Sequence, residues 1–177
     1  METELEDKLK FIKTRKSIRN FVSQKIEKQK LEKILECGRW APSGLNNQPW
    51  KVNLVLDSAV KQKLRDCTKY GKILGEAYAN IVVFLDKKKG YNRVKDIQAI
   101  GAFMENMILA AHGLKLGAVW IGEILNQKEQ VNEIFKLNSE RYELMGVIAL
   151  GHIDSNIEKK KQKERERRPL EDFVDWF

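Results

Sequence analysis

The sequence predicts a single α/β or α+β domain in which helices pack against a sheet. Strand-like runs such as residues 80–86 alternate along the chain with helix-like runs such as residues 97–116. No internal repeat, low-complexity stretch or linker divides the 177 residues, and domains commonly hold roughly 100 to 200 residues. We therefore treat 1–177 as one domain, with 155–177 as a basic C-terminal arm.

The first part of the chain predicts two amphipathic helices. Leu5, Leu9 and Ile12 recur at helical spacing in the segment ELEDKLKFIKTR. The segment KQKLEKILECG, residues 28–38, repeats this pattern and ends at a glycine, which is typical of a helix end.

Two strands are predicted next, on either side of a helical segment. Residues 51–57 alternate apolar and polar side chains, whereas residues 80–86 form a continuous apolar run that fits a central strand. The segment between them, 59–77, is helical in composition, and we expect interruptions at Gly71 and Gly75.

The most apolar segment predicts a buried central helix. Residues 97–116 are apolar around almost the whole circumference of a helix, and we expect Gly117 to take the left-handed conformation that ends it. Four or five short strands cannot cover every face of such a helix. A homodimer would cover the remainder, with a well-packed monomer as the alternative.

The last core elements follow this helix. Residues 118–122 predict a short strand, and residues 142–153 predict the final core strand. Between them, residues 126–135 predict a helix capped by Asn126, with Glu129 three residues later.

The charge of the chain is concentrated in one segment. The formal net charge is +8, and residues 159–168 alone contribute +5. A basic segment of this kind is commonly a solvated arm, so binding to nucleic acid is a weaker alternative. The sequence has no apolar run long enough to span a membrane and begins with a charged stretch, so we expect a soluble, cytoplasmic protein.

The cysteines and histidines predict neither a disulfide framework nor a metal site. Cys37 and Cys67 lack paired spacing and are interpreted as free thiols. His112 lies within the apolar helix, where a hydrogen-bonded core residue is expected, and His152 is expected to be structural.

One polar cluster fits a phosphate group. In the segment TRKSIRNF, Arg15, Ser17 and Arg19 recur at every second residue, so in an extended segment they project to one side. Two guanidinium groups and a hydroxyl can receive a phosphate dianion, because arginine offers a planar fork of donors with a fixed charge. A solvated basic surface is the alternative.

A second polar cluster fits a heterocycle. In the segment RWAPSGLNNQPW, the amides of Asn46, Asn47 and Gln48 can both donate and accept hydrogen bonds. Pro42 and Gly44 shape the backbone so that its own amides can approach a ligand. A polar turn is the alternative.

The order of these two clusters resembles the amino-terminal signature of the nitroreductase family, the FMN-dependent NAD(P)H oxidoreductases. RKSIRNF is followed by ILECGRWAPSGLNNQPW, GAFMENMILAAHGLKLGAVWIG is similar to the central helix and following strand of the family, and RRPLEDFVDW is similar to its C-terminal signature. The resemblance covers nearly the whole chain. It implies an α+β, three-layer fold with a mixed, mainly antiparallel sheet flanked by helices, and an intertwined homodimer with two FMN sites between the subunits.

The resemblance also implies the residues that bind FMN. Arg15, Lys16 and Ser17 would meet the phosphate and ribityl end, and Arg19 would lie beside the pyrimidine ring. Residues of the other subunit would hold the flavin from its second side: Pro42, Ser43, Gly44, Asn46 and Gln48. In the basic arm, Arg165 and Arg167 match family positions near the phosphate. Either Gly122 or Glu123 would offer a backbone N–H to the flavin, and the sequence leaves that choice open.

The implied activity is the transfer of hydride from NADH or NADPH to FMN, and of electrons onward to nitroaromatics, quinones or related small acceptors, by a ping-pong mechanism. Alternatives on the same fold are dehalogenation, enoate reduction and flavin fragmentation. Outside catalysis, the alternatives are an FMN-binding or nucleic-acid-binding dimer. Residues 87–96 are short where some family members carry long insertions, so the substrate class does not carry over.

Overall fold

The computed structural model describes residues 2–160 and 165–177. The part of the predicted basic arm at 161–164 lies outside the described residues.

Seven α-helices and five strands form the described fold. The helices are α1 (Glu2–Thr14), α2 (Lys28–Arg39), α3 (Ser58–Arg65), α4 (Gly71–Glu76), α5 (Arg93–Gly113), α6 (Lys128–Ile134) and α7 (Ser155–Lys160). The strands are β1 (Phe21–Val22), β2 (Trp50–Val55), β3 (Ala79–Asp86), β4 (Gly117–Ile121) and β5 (Tyr142–Ile153). Short 3-10 turns occupy Gly44–Asn46, Glu123–Gln127 and Leu170–Asp172.

The sheet is organised around β5, the longest strand. One edge of β5 pairs with β3, which in turn pairs with β2. The other edge pairs first with β4 and then with β1. These pairings are all antiparallel, which confirms the mainly antiparallel sheet, while a parallel pair is not found within the described residues.

Helices cover both faces of the sheet, as a three-layer fold requires. Ile81, Val83 and Leu85 of β3 pack in one buried cluster with side chains of α2 and α5. Val82 and Phe84 point to the opposite face, where they join side chains of α3, α4 and α6. The continuous apolar run of β3 is explained by this two-sided burial, and the prediction of a central strand is confirmed.

The predicted central helix is α5, and its apolar surface is only partly covered within one chain. Phe103, Met104 and Met107 are buried against the sheet and α2. Leu109 and Ala110, on another side of the helix, are only half-buried. Although α5 has 21 residues, the helices of the described chain lack the length and apolar content that crossing a membrane requires.

The predicted first helix is confirmed as α1, but its apolar stripe is not buried within the chain. Leu5 and Ile12 are 56% and 58% exposed, and Leu9 is exposed as well. Because a surface helix normally buries its apolar stripe, this stripe needs a cover that one chain does not supply.

The expectation that Gly117 ends the central helix is wrong. Helix α5 ends at Gly113, and Lys115 takes the left-handed conformation with φ of 58°. Gly117 instead opens β4, where an added Cβ would lie 2.6 Å from Cγ2 of Ile18. The glycine is therefore required by close packing of the 15–20 segment against β4 rather than by a helix end.

Two smaller expectations also fail. Asn126 does not cap the following helix, because it lies inside the 3-10 turn and α6 begins only at Lys128, with Gln127 at the cap position. Gly71 opens α4 after a turn, and Gly75 lies inside α4. The predicted helical segment is therefore broken once, before Gly71, and not at Gly75.

Candidate functional site

The predicted phosphate-binding segment runs along the sheet immediately after α1. The N–H of Ile18 donates to the carbonyl of Ala118 in β4 at 2.9 Å, and the carbonyl of Asn20 accepts from the N–H of Asp154 at 3.1 Å. These bonds hold the segment at both ends. Around them, Lys16, Ser17 and Arg19 remain exposed.

Two arginines that are distant in the sequence meet at this segment. The guanidinium of Arg165 donates to the backbone carbonyls of Lys13 and Arg15. The Nε of Arg15 lies 3.6 Å from a carboxylate oxygen of Glu105 in α5, and the Arg15 side chain is 23% exposed. The structure thus brings Arg165 of the arm to the amino-terminal cluster, whereas the described contact of Arg167 is only with the neighbouring Glu166 carbonyl.

His112 lies beside this basic cluster rather than deep in the core. Its Nε2 is 3.1 Å from Oγ1 of Thr14, and its ring packs on Phe11 at 5.0 Å between centroids. The expected hydrogen bond is confirmed, but the residue is half-buried. Burial, and then the charges of Arg15 and Arg165, lower the pKa of His112 below its ordinary value.

The amide-rich loop 42–48 adopts an unusual backbone. Leu45, Asn46 and Gln48 all have positive φ, at 54°, 53° and 47°. The N–H of Gln48 donates to Oγ of Ser43 at 3.1 Å, and the Gln48 amide donates to the carbonyl and the side chain of Asn46. The predicted residues Ser43, Asn46 and Gln48 are therefore bonded to one another.

The same loop is closely approached by the segment before α5. An added Cβ on Gly44 would lie 1.9 Å from the hydroxyl oxygen of Tyr91, so a larger residue there would displace the Tyr91 ring. Pro42 is exposed at the start of the loop. The carbonyl of Pro49 accepts from the N–H of Asp86 at 2.7 Å and joins the end of the loop to β3.

The third predicted position, Gly122 and Glu123, begins the 3-10 turn after β4. The Glu123 carboxylate accepts from Oγ1 of Thr68 at 2.6 Å and from the N–H of Lys69 at 3.0 Å. These bonds, that of Thr68 first, lower the pKa of Glu123. Its carboxylate is thus turned onto the loop between α3 and α4.

The backbone at Gly122 borders open space, whereas the Glu123 side chain is bound to the loop between α3 and α4. An added Cβ at Gly122 would meet nothing within 4 Å. The first N–H groups of a helical turn have no partner inside that turn. The start of this turn therefore presents backbone donors beside open space.

One chain brings the basic cluster and the amide-rich loop to separate places on α5. The basic cluster reaches α5 through Arg15 at Glu105, in the middle of the helix, and through Thr14 at His112, near its C-terminal end. The loop reaches it through Asn47 and Asp96 in its first turn. At 1.5 Å per helical residue the two contacts of the basic cluster lie about 14 Å and about 24 Å along the helix from Asp96.

The other candidate residues lie apart from these clusters. Cys37 is exposed, Cys67 is buried with its pKa raised by burial, and both are free. His152 contacts the carbonyl of Lys25 at 3.3 Å. Across residues 2–160 and 165–177, no three potential ligand side chains are grouped as a metal site would require.

Sequence reasoning missed two residues that shape this site, Thr68 and Asp96. Thr68 holds Glu123, and Asp96 binds Asn47 at 2.7 Å. Asn47 is among the amides of the predicted polar cluster, although it is not one of the residues expected to meet the flavin. Thr68 and Asp96 have no local signal, because their partners are 55 and 49 residues away.

Comparison with known proteins identifies relatives over nearly the whole chain. The sequence model of the Nitroreductase family matches residues 12–70 and 59–152. A protein of Archaeoglobus fulgidus, provisionally named NADH dehydrogenase/NAD(P)H nitroreductase, is 34% identical over 151 residues, which cover 84% of this chain and 86% of that protein. An NADPH-flavin oxidoreductase of Vibrio harveyi is 29% identical over 157 residues, covering 82% and 65% of the two chains.

A solved structure extends this similarity to the fold. The crystal structure of a provisionally assigned nitroreductase from Desulfovibrio desulfuricans, in complex with FMN, superposes with a TM-score of 0.87. It is 41% identical, and the match covers 96% of both chains.

Proposed function

Since this chain belongs to the nitroreductase family, we propose that it is an FMN-dependent oxidoreductase that uses NADH or NADPH to reduce nitroaromatics, quinones or related small acceptors. One structural observation carries the proposal beyond family membership. Arg165 of the arm, 150 residues from Arg15, donates to the backbone carbonyl of Arg15, two residues before the exposed Ser17. Fixed cations and a hydroxyl form the donor set that a phosphate dianion requires.

The residues present fit FMN at both of its ends. At the phosphate end, Arg15, Lys16, Ser17 and Arg165 supply positive charge and donors, and Arg167 lies two residues further along the arm. At the ring end, the open space over Gly122 admits a planar group beside backbone donors. The sequence has no GxGxxG turn for a pyrophosphate, which favours FMN over FAD.

Bound FMN supplies the redox chemistry, accepting hydride and passing electrons to an acceptor. The resemblance implies that Arg19 would lie beside the pyrimidine ring. Its fixed charge would there stabilise the negative charge that reduction brings to that end of the flavin. The hydrogen bonds from Thr68 and Lys69 hold Glu123, and with it the backbone donors that begin its turn.

The proposed site needs two chains. The amide-rich loop meets α5 about 14 to 24 Å along the helix from the contacts of the basic cluster, and as the family resemblance implies, Ser43, Asn46 and Gln48 would reach FMN from a partner subunit. An apolar groove of about 710 Å³ between α2 and α5, lined by Cys37, Ala110 and Leu114 among others, supports the same assembly. Exposed Trp40 and the uncovered stripe of α1 add to the apolar surface that a partner would cover.

A single open face beside Gly122 would serve both the nicotinamide and the acceptor. The two substrates then bind in turn rather than together, which predicts ping-pong kinetics. The chemical class of the acceptor is set by side chains around that face.

The visible absorption spectrum of the purified protein tests the proposal. We expect a flavin spectrum, release of FMN on denaturation, and loss of the flavin band when NADH or NADPH is added without oxygen. Adding a quinone or a nitroaromatic should restore the band. Colourless protein that takes up no FMN would refute the cofactor assignment, and a flavin that neither nucleotide bleaches would refute the oxidoreductase.

A further inference from the structure

The backbone of loop 42–48 is strained. Three of its residues, Leu45, Asn46 and Gln48, are left-handed, a conformation that side chains other than those of glycine and asparagine rarely adopt. Leucine is poorly suited to this conformation, and Leu45 is 85% exposed, so its own packing does not compensate. Strained conformations persist only where the surroundings fix them.

Most side-chain bonds of the loop shape it without attaching it to the domain. Gln48 bonds to Ser43 and Asn46, all within the loop. In the part of the chain that the structure describes, Asn47 is the loop residue whose side chain bonds elsewhere. Its Nδ2 donates to Oδ1 of Asp96 at 2.7 Å and to the carbonyl of Lys89 at 3.1 Å.

Asn47 is placed where attachment has the largest effect on the backbone. Its own φ is −71°, and it lies between left-handed Asn46 and left-handed Gln48. Fixing the Asn47 side chain therefore restrains both neighbours. The Oδ1 atom of Asn47 is buried and has no hydrogen-bond partner. The two bonds donated by Nδ2 therefore fix the amide even though its acceptor oxygen stays unpaired, which is unfavourable.

Asp96 is the anchor of this contact. It is 2% exposed, in the first turn of α5, where a carboxylate is favoured by the helix dipole. Its second oxygen accepts from the N–H groups of Tyr91 and Asn92 at 3.0 and 3.1 Å. One carboxylate thus joins α5, the segment that carries Tyr91, and the loop against which Tyr91 packs at Gly44.

We propose that Asn47 and Asp96 are positioning residues, which hold the 42–48 loop in the strained shape that Ser43, Asn46 and Gln48 need to meet the flavin. The inference rests on the proposed FMN site. Neither residue contacts the cofactor, because the Asn47 amide is turned inward to Asp96 and Lys89. Preformed loop geometry lowers the cost of binding, since the ordering is complete before the ligand arrives.

The pair can be tested by exchanging its two side chains. Asn47→Asp places two carboxylates at hydrogen-bond distance, and like charges in contact are strongly unfavourable. In the double variant Asn47→Asp/Asp96→Asn, the amide introduced at position 96 can donate to the carboxylate introduced at position 47, while its oxygen still accepts from Tyr91 and Asn92. The bond from position 47 to the carbonyl of Lys89 is not restored, because a carboxylate cannot donate. We expect Asn47→Asp to weaken FMN binding by about tenfold or more, and the double variant to recover part of this loss.

Three measurements separate positioning from general stability. FMN affinity is measured by titration of each apoprotein, and the circular dichroism of bound flavin reports the geometry around it. Amide hydrogen exchange of residues 43–48 in the apoprotein reports the loop without any cofactor. Asn47→Ala removes the hydrogen bonds to Asp96 and Lys89 without adding charge, and it replaces Asn47→Asp in these measurements if that variant does not fold. Asn138→Ala is the matched control, because it removes one 2.7 Å asparagine bond from another loop.

The outcomes distinguish this inference from the proposed function. Faster exchange at 43–48 and weaker FMN binding in Asn47→Asp, both partly recovered in the double variant and absent in Asn138→Ala, support the inference. Wild-type affinity, flavin dichroism and exchange in the Asn47 variants would overturn it, as would a double variant no better than Asn47→Asp. If the wild type binds no FMN, the proposed function fails and the cofactor role of the pair fails with it, while the exchange data still decide whether the pair orders the loop.

Discussion

The hydroxyl of Thr68 donates a 2.6 Å hydrogen bond to the carboxylate of Glu123 and joins the loop after α3 to the turn after β4. The N–H of Lys69 bonds to the same carboxylate oxygen at 3.0 Å. The backbone donors at Gly122 and Glu123 therefore depend for their position on a side chain 55 residues away.

Replacing Thr68 by valine keeps the shape of this side chain and removes its donor. We expect Thr68→Val to slow hydride transfer from NAD(P)H by roughly threefold to tenfold, with a smaller effect on FMN affinity, because the affected donors face the reacting part of the ring. Anaerobic stopped-flow reduction measures the rate, and Thr68→Ser is the control that keeps the hydroxyl. An equal loss in both variants would show that the bond to Glu123 does not matter.

The same pair predicts a pH dependence of stability. The pKa of Glu123 is lowered in the folded protein from an ordinary value of 4.5, so its contribution is complete above that pH and is lost as the pH falls through the folded pKa. The difference in melting temperature between wild type and Thr68→Val should be constant near neutrality and should shrink below about pH 4.5. A difference that does not change down to about pH 3 would contradict this.

Asp86 joins the end of the amide-rich loop through its backbone, while its carboxylate is held by Arg141. Asp86 is 4% exposed and receives two hydrogen bonds from Arg141, at 2.9 and 2.8 Å, which lower its pKa. Its N–H donates to the carbonyl of Pro49. We expect Arg141→Met to destabilise the fold, because it leaves the buried Asp86 carboxylate without its partner. The loss should be smaller than for a fully buried pair, because the Arg141 side chain is 37% exposed.

Urea denaturation near neutral pH measures this loss. Arg93→Met is the matched control, because the pair of Arg93 with Glu143 has similar geometry but leaves Arg93 64% exposed, and such surface pairs contribute less than about 1 kcal/mol. The deficit of Arg141→Met should shrink as the pH falls below the ordinary value of 3.8 for aspartate. Equal losses in the two variants would contradict the anchoring role of Asp86.

Local pattern was enough to predict the sheet but not the contacts that complete the site. The apolar run of β3 identified a strand buried on both faces, because that property belongs to consecutive residues. The bonds from Thr68 to Glu123 and from Asn47 to Asp96 join segments 55 and 49 residues apart. Their geometry is set by the packing of whole elements, which no local pattern records.

The wrong local predictions have the same origin. Asn126 is a good capping residue in isolation, but the 3-10 turn from Glu123 extends through it and shifts the start of α6. Gly117 fits a helix end by residue type, yet the approach of Ile18 requires glycine one element later. In both cases tertiary contacts overrode a local preference.

The charge of Arg15 should account for much of the affinity for FMN. Charge-assisted hydrogen bonds contribute about 1.5 to 3 kcal/mol each, so Arg15→Ala should weaken FMN binding by roughly tenfold to a hundredfold, and Ser17→Ala should weaken it less. Arg168→Ala is the control, because Arg168 is exposed over Phe173 in the same basic arm. Unchanged affinity in Arg15→Ala, or an equal loss in Arg168→Ala, would remove Arg15 from the site.

Dimer formation and cofactor binding should be lost together. Leu109 is half-buried on α5, in a shallow apolar hollow that Phe11 and Trp40 also line. Within one chain, the basic cluster contacts that helix about 14 to 24 Å from the contact of the amide-rich loop. A glutamate in this hollow would be buried without a partner in the dimer but solvated in the monomer, so Leu109→Glu should shift the equilibrium toward monomer.

Sedimentation velocity at micromolar concentration, with flavin absorbance recorded beside protein absorbance, measures both properties in one experiment. We expect wild-type protein to sediment as a flavin-loaded dimer and Leu109→Glu to sediment largely as monomer without flavin. Leu56→Glu is the control, because Leu56 is 45% exposed directly after β2 and lines neither of the apolar hollows at α5. A monomeric Leu109→Glu that retains FMN would show that one chain holds the cofactor, and the separation of the two clusters along α5 would then need another explanation.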